Sequence, residues 1–242
     1  SSVSQGPLSQ GPVSPVPGQV VRSPGLARTF RLLQQQGTDV FYKGEIARAI
    51  VARSKELGGV ITMEDMAAYK GEWVTPARSS YHGYDILTLP PPAQTWAAGE
   101  MLSILEACVP VWAQGATLAS LGPASPALWH IMVEAKKLAY ADLYRYNADP
   151  TFVKVPTYRL LSPSHAASLC GKANPSAASA TGAPSDADRL GDTIVLSTAD
   201  RWGNMVAWVN SLYESFGSGV TVGEYGLALH NRGALFSLDP AS

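Results

Sequence analysis

The sequence predicts an α+β layered fold, helix-rich first and strand-rich last. Three observations carry this. Apolar residues recur at helical spacing up to Tyr146, a Ser/Ala/Gly/Pro-rich stretch interrupts the chain at 171–191, and alternation of period two takes over from Thr193. Length and composition permit such a fold: 242 residues, 46% hydrophobic and 15% charged, can bury the core of one large domain or two small ones.

Residues 1–24 read as a loop or tail, because four prolines and three glycines between Gly6 and Gly18 oppose regular structure. Gly25 to Gln36 carries Leu26, Phe30, Leu32 and Leu33 at helical spacing. Gly44 to Leu57 places Ile46, Ala49, Ile50 and Ala52 on one face before Gly58-Gly59 stops it. Thr62-x-x-Asp65 has the form of an N-cap opening a short helix through Tyr69. Residues 72–90 alternate aromatic and β-branched with polar positions around Gly83, which predicts a hairpin ended by Pro90-Pro91-Pro92. Helices are expected over Thr95 to Ala107 and over Ser125 to Tyr146, the second opened by Pro126 and closed near Asn147. Strands are expected over Thr193 to Thr198 and Met205 to Leu212, about a turn at Asp200-Arg201-Trp202-Gly203-Asn204. The Gly-rich loop Phe216-Gly217-Ser218-Gly219 and the apolar segment Gly226 to Leu229 then lead to His230-Asn231-Arg232-Gly233. The expected organisation is a tail (1–24), a helix-rich region (25–170), a mobile linker (171–192) and a β-rich segment (193–242).

Composition narrows the partners. A formal net charge of −1 and scattered basic residues argue against nucleic acid and anionic membrane surfaces. No apolar run is long enough to span a membrane. The four histidines lack metal-ligand spacing, so no metal is expected. Cys108 and Cys170 permit one disulfide but do not make a disulfide scaffold, and Cys108, after Met101 to Leu105, reads as a buried small hydrophobe. Residues 1–24 lack the apolar core of a signal peptide, which fits a cytoplasmic protein and equally a mature periplasmic or secreted one, or a fragment.

The order of linker, Gly191-Asp192-Thr193, strand, turn and strand is where chemistry could sit. A threonine hydroxyl is a weak nucleophile and needs a base. Chain cleavage before Thr193 would free its own α-amino group, whose pKa of about 7.7–8.0 suits proton transfer near neutrality. A departing linker followed by a rigid strand is what that solution requires. Spacing alone also fits an ordinary strand threonine after an ordinary loop.

Several separated motifs point the same way. Phe41-Tyr42-Lys43-Gly44-Glu45-Ile46-Ala47-Arg48-Ala49-Ile50, Gly58-Gly59-Val60-Ile61-Thr62-Met63-Glu64-Asp65, Leu89-Pro90-Pro91-Pro92 and Val133 to Asp142 resemble the large-subunit region of the γ-glutamyltransferases. Asp192-Thr193, Asp200 to Asn204 and Ser215 to Gly219 are similar to the start of that family's small subunit. The resemblance runs from about Pro17 to the C-terminus. It implies an αββα sandwich of the N-terminal-nucleophile hydrolase type, present as a partial domain. It also implies autocatalytic cleavage between Asp192 and Thr193, a second hydroxyl at Ser211 that contacts the nucleophile, and fragments of one precursor that stay associated. Neither metal nor organic cofactor is implied. The substrates it implies are small amides or γ-glutamyl compounds, with water or an amino compound accepting the acyl group.

The departures concern the acyl group. Where the family holds a substrate ammonium with glutamine and aspartate, this chain has Arg232 and Leu235, and a substrate-contacting asparagine is replaced by Tyr213. A guanidinium repels an ammonium and pairs with a carboxylate, so Tyr213 and Arg232 are candidate substrate-binding residues, although Arg232 also reads as a solvated arginine. Ala93-Gln94-Thr95-Trp96 stands where the family has Ser-Ser-Gly-Gly. These changes resemble the branch that includes cephalosporin acylases. The family's first large-subunit segment and its oxyanion-hole glycines match nothing within these residues. Losing oxyanion donors costs roughly 10²–10³ in turnover, so the 242 residues alone are expected to have little activity.

Overall fold

A computed structural model describes residues 15–179, 191–236 and 238; the start of the predicted tail and residues 180–190 of the predicted linker lie outside these. The chain divides into two units, Ser1–Gly71 with Arg189–Ser242, and Glu72–Asp188.

The first unit opens with four helices. Helix α1 (Pro24–Gln36) starts with proline in its first turn and ends at Gly37, whose φ is 71°. The short α2 (Asp39–Tyr42) leads to α3 (Glu45–Glu56), which buries Ile46, Ala47 and Ile50. Helix α4 (Met63–Ala68) carries the expected cap as a full capping box: Asp65 N donates to Thr62 Oγ1 at 3.1 Å and Thr62 N to the Asp65 carboxylate at 2.8 Å.

The second unit begins with the expected hairpin, β1 (Ala77–Tyr81) antiparallel to β2 (Tyr84–Thr88). His82 and Gly83 both have positive φ, 49° and 80°, as a tight two-residue turn requires. Five helices follow among the described residues: α5 (Trp96–Trp112), α6 (Leu118–Leu121), α7 (Pro126–Tyr146), the short α8 (Thr157–Leu160) and α9 (Pro163–Leu169). Of these, only α5 and α7 were expected from the residue pattern. Helix α5 continues past the expected end at Ala107, through Pro110, because Cys108, Val109 and Trp112 are buried against Ile131, Ala135 and Leu138 of α7 and Ala166 and Leu169 of α9. Burial there outweighs the hydrogen bond that proline removes.

Cys108 and Cys170 form a disulfide that closes a loop of 62 residues. Cys108 is buried, as expected, but as half of a cross-link rather than as a free thiol. Separation hid the pair, since only the packing of α9 on α5 brings them together. Beyond Cys170 the chain is tied to α7. Asn174 O lies 2.9 Å from His130 Nε2, and Lys137 Nζ donates to Ser179 O at 3.1 Å. Ser179 donates through its N–H and hydroxyl to buried Glu134. Burial raises the Glu134 carboxyl, and its bonds to Lys137 and Ser179 outweigh this and hold it below its ordinary value.

The first unit resumes with a long ribbon, β3 (Gly191–Ala199) antiparallel to β4 (Met205–Glu214). Asp200 closes its turn by accepting from Trp202 N at 2.9 Å and Asn204 N at 3.0 Å. Apolar residues cover both faces, with Val195, Leu196, Trp208 and Val209 all exposed among the described residues. This is the pattern of strands built for cover on both sides. Beyond it, the two-residue strands β5 (Thr221–Val222) and β6 (Leu227–Ala228) pair beside buried Tyr225. Val222 and Tyr225 pack with Val40, Ile46 and Ile50, and Thr29 Oγ1 donates to Tyr225 O at 2.8 Å. At this junction the backbones of Gly25 and Gly226 lie against each other: a Cβ on Gly25 would strike Gly226 N, and one on Gly226 would strike Leu26 N.

The disulfide yields a measurable expectation. Closing a loop of 62 residues is worth about 4 kcal/mol in the chain-entropy model. Denaturant unfolding should show that loss on adding a thiol reductant, and unchanged midpoints would contradict a stabilising cross-link.

Candidate active site

The ribbon's register decides what meets at its open end. Thr193 lies opposite Ser211 but Asp192 lies opposite Tyr213, so β4 carries one extra residue, Leu212, at a β-bulge. Tyr213 follows with a φ of 80°, an unfavourable value for a bulky side chain. The bulge turns Tyr213 N onto the Ser211 hydroxyl, where it donates at 2.9 Å.

Ser211 Oγ is the centre of the cluster. Thr193 Oγ1 donates to it at 2.9 Å and Arg232 Nη2 at 3.1 Å. The Arg232 guanidinium also lies over the Tyr213 ring, 5.2 Å from its centre. Arg232 is placed by the loop before it. Ser218 donates to Leu229 O through N–H and hydroxyl, Asn231 N donates to Leu212 O at 3.2 Å, and Asn231 Oδ1 accepts from Glu214 N at 3.1 Å. Those bonds hold Leu229 to the Gly-rich loop and Asn231 to β4, and the 3₁₀ turn Arg232–Leu235 begins from that anchor.

Thr193, Ser211, Tyr213 and Arg232, singled out from the sequence, therefore form one cluster. Asp192 contributes its backbone to the ladder opposite Tyr213. Leu235 ends the 3₁₀ turn and is 47% exposed. Among the described residues no imidazole or carboxylate is hydrogen-bonded to Thr193 Oγ1. The arrangement can orient a hydroxyl and hold an anion, and a base for Thr193 would have to come from another group.

The second unit holds a constellation that no sequence spacing announced. Glu100 on α5, Asp142 on α7 and His165 on α9 bring one ligand atom each within 4.8 Å of one another. His165 Nε2 is 2.7 Å from Asp142 Oδ2 and 3.3 Å from Glu100 Oε1. Two carboxylates and an imidazole could hold a divalent cation. A proton does similar work: burial, followed by the hydrogen bond and charge of Asp142, raises the Glu100 carboxyl to about 9 against an opposing pull from Arg159. Glu100 is then neutral at pH 7. The one sequence signal was a charged glutamate inside the mostly apolar stretch from Trp96 to Leu105.

Known proteins share both the sequence and the architecture. Residues 8–242 match the family model described as gamma-glutamyltranspeptidase. The chain is 34% identical over 226 residues to the glutathione hydrolase-like YwrD proenzyme of Bacillus subtilis (strain 168), covering 93% of this chain and 41% of that one. It is 36% identical over 231 residues to the glutathione hydrolase proenzyme of Escherichia coli (strain K12), covering 92% and 38%. A crystal structure of cephalosporin acylase from Bacillus halodurans superposes with a TM-score of 0.73 at 33% identity, covering 92% of this chain and 38% of that one. The chain thus spans about two fifths of the length of these relatives. Its helices and ribbon are part of an αββα sandwich of the N-terminal-nucleophile hydrolase type.

The Glu100 cluster sets a pH dependence of stability. An unfolded chain releases this proton near 4.5, whereas the fold retains it to about 9. The folded state binds more protons between those values, so this contribution is complete below the lower one and is lost as pH rises through the upper one. Melting temperature should therefore fall between about pH 5 and pH 9, and Glu100→Gln should flatten the fall. Parallel pH profiles for the two proteins would rule this out.

Proposed function

The chain belongs to the gamma-glutamyltranspeptidase family, and from that premise we propose that it forms part of an acyl-transferring amidohydrolase whose nucleophile is Thr193, freed by cleavage after Asp192. The observation that carries this reading is the hydrogen bond of 2.9 Å between Thr193 and Ser211 at the first rungs of the ribbon, immediately after the predicted linker. The relatives named as proenzymes are consistent with a precursor that is cut.

In the proposed reaction, cleavage exposes the Thr193 α-amino group, which takes the proton from Thr193 Oγ1 as that oxygen attacks an amide carbonyl. The Ser211 hydroxyl holds Oγ1 in place. The α-ammonium passes that proton to the departing nitrogen, so the C–N bond breaks, the amine leaves and the acyl group remains as an ester on Thr193. Water or an amino compound, deprotonated by the same α-amine, then attacks the ester and restores the Thr193 hydroxyl. No step requires a metal or an organic cofactor.

The substrate is an amide whose acyl part is of the γ-glutamyl kind, as the names of the relatives called glutathione hydrolases suggest. A second reading, a glutaryl or cephalosporin side-chain acylase, is favoured by Arg232 and Leu235. Arg232 offers a cation to a terminal carboxylate, and no carboxylate in the 3₁₀ turn is available for a substrate ammonium. A third reading from another class is a non-catalytic fragment or an unprocessed precursor.

Mass spectrometry of the full-length precursor should find a cut between Asp192 and Thr193 that Thr193→Ala abolishes. A chain left intact for days at neutral pH would reject self-processing. Ser211→Ala should slow turnover roughly 3- to 10-fold, the worth of one hydrogen bond. Glutaryl and γ-glutamyl anilides assayed side by side separate the substrates, and faster γ-glutamyl turnover would reject the role given to Arg232.

A further inference from the structure

We infer that Glu100, Asp142 and His165 are a metal site in the second unit: two carboxylates and an imidazole that bind one first-row divalent transition ion, zinc foremost, and so tie helices α5, α7 and α9 together. The site is independent of the reading of Thr193 as the nucleophile.

Glu100 is the residue that points to a ligand. Its side chain has 0% exposure, and neither of its carboxyl oxygens has a hydrogen-bond partner among the described residues. Buried polar groups ordinarily have one. The cluster itself does not supply it. His165 Nε2 gives its proton to Asp142 Oδ2 at 2.7 Å and lies 3.3 Å from Glu100 Oε1. Asp142, as a carboxylate, has only acceptors. A proton on Glu100 serves one oxygen through Asp142 and leaves the other without a donor. A divalent cation is met by both carboxylates and the imidazole together. When it enters, Glu100 releases its proton to solvent and the His165 proton moves to Nδ1, which frees the Nε2 lone pair.

The donor set and its spacing select the ion. Both cysteines are committed to the disulfide, so oxygen and nitrogen are the donors. Zinc bonds of about 2.0–2.2 Å place tetrahedral ligand atoms roughly 3.3–3.6 Å apart. The three ligand atoms here all lie within 4.8 Å of one another, with His165 2.7 Å from Asp142 and 3.3 Å from Glu100, so small shifts reach that spacing. Calcium takes about six to eight oxygens and magnesium keeps several waters, which a nearly closed corner with an imidazole does not offer. The charges balance, two carboxylates against a divalent ion. Arg159 is the cation whose charge reaches Glu100, as the weakest influence on it, and its guanidinium rests over the Tyr146 ring. The side chains of Asp142 and His165 are 16% and 12% exposed, enough for an ion and a water to reach them and too little for a substrate. The ion is therefore a structural cross-link and takes no part in acyl transfer.

The test uses the full-length protein without an affinity tag, stripped with a chelator and titrated with Zn²⁺ in a calorimeter. One ion per chain should bind at this site. At an ion concentration about 100 times Kd, the melting temperature should rise by roughly 5–10 °C. Co²⁺ in place of Zn²⁺ should give the visible absorption of a site with oxygen and nitrogen ligands and no thiolate band. Glu100→Gln and Asp142→Asn should each weaken Zn²⁺ binding roughly 100-fold or more, whereas His82→Asn, which removes an exposed imidazole elsewhere in the unit, should leave it unchanged. Circular dichroism checks the fold of each variant. If Glu100→Gln does not fold, Asp142→Asn, at a side chain that reaches solvent, carries the same comparison. No Zn²⁺ binding by the stripped protein overturns the site, as does binding that the variants leave intact. A larger rise in melting temperature with Ca²⁺ than with Zn²⁺ overturns the choice of a transition ion.

Discussion

Between Asp192 and Thr193 the β3–β4 ladder gains one residue on β4, and the chemistry of the cluster depends on that insertion. Side chains alternate along a strand, so a shift of one residue carries a whole strand's set to the opposite face. With the bulge, Thr193 faces Ser211 while the backbone beyond is bent enough for Tyr213 N to turn back onto the same hydroxyl. The strained φ of Tyr213 goes with this geometry. The bulge also brings the Tyr213 ring under Arg232, so one backbone irregularity sets a hydroxyl pair, an amide donor and a stacked cation.

The cluster's parts come from segments with different demands. Thr193 and Ser211 lie on regular strands, where the ladder fixes position. Arg232 lies on a short turn held through Leu229, Asn231 and Glu214, which sets its location and leaves its side chain exposed. A hydroxyl pair held by the ladder beside an adaptable cation would suit the proposed acyl transfer, with one part of the cluster fixed and the other free to adjust. Binding groups concentrate on loops carried by a rigid scaffold for the same reason.

In the second unit the polar interior is organised around two devices absent from the ribbon. The Cys108–Cys170 bridge joins α5 to the end of α9, and Glu134 with Lys137 and Ser179 then holds the chain that continues from it. The Glu100, Asp142 and His165 cluster links the same three helices through polar groups. A buried carboxylate there would be costly, and retention of a proton by Glu100 removes most of that cost.

Much of this protein was legible in its residues. Helical spacing, the Thr62 and Asp65 cap, the turn at His82-Gly83 and the alternation on both sides of Asp200 each act over a few positions, and local physics is enough to read them. Thr193, Ser211, Tyr213 and Arg232 could be named from motif order. Their convergence on one oxygen could not, because a single-residue bulge changes which side chains face each other and no local pattern marks it. Helix α5 outran its expected end because burial of Trp112 is a tertiary event. The disulfide and the Glu100 cluster escaped for a related reason: their members lie on different helices, far apart in the chain, and only packing brings them into contact. The sequence by itself determined the class of fold, a product of local pattern, and offered Thr193 as candidate nucleophile through the order of motifs that resembles the γ-glutamyltransferases rather than through local spacing. Tertiary structure alone decided which distant groups share a hydrogen bond, a cross-link or a proton, since those depend on distances that chain order does not contain.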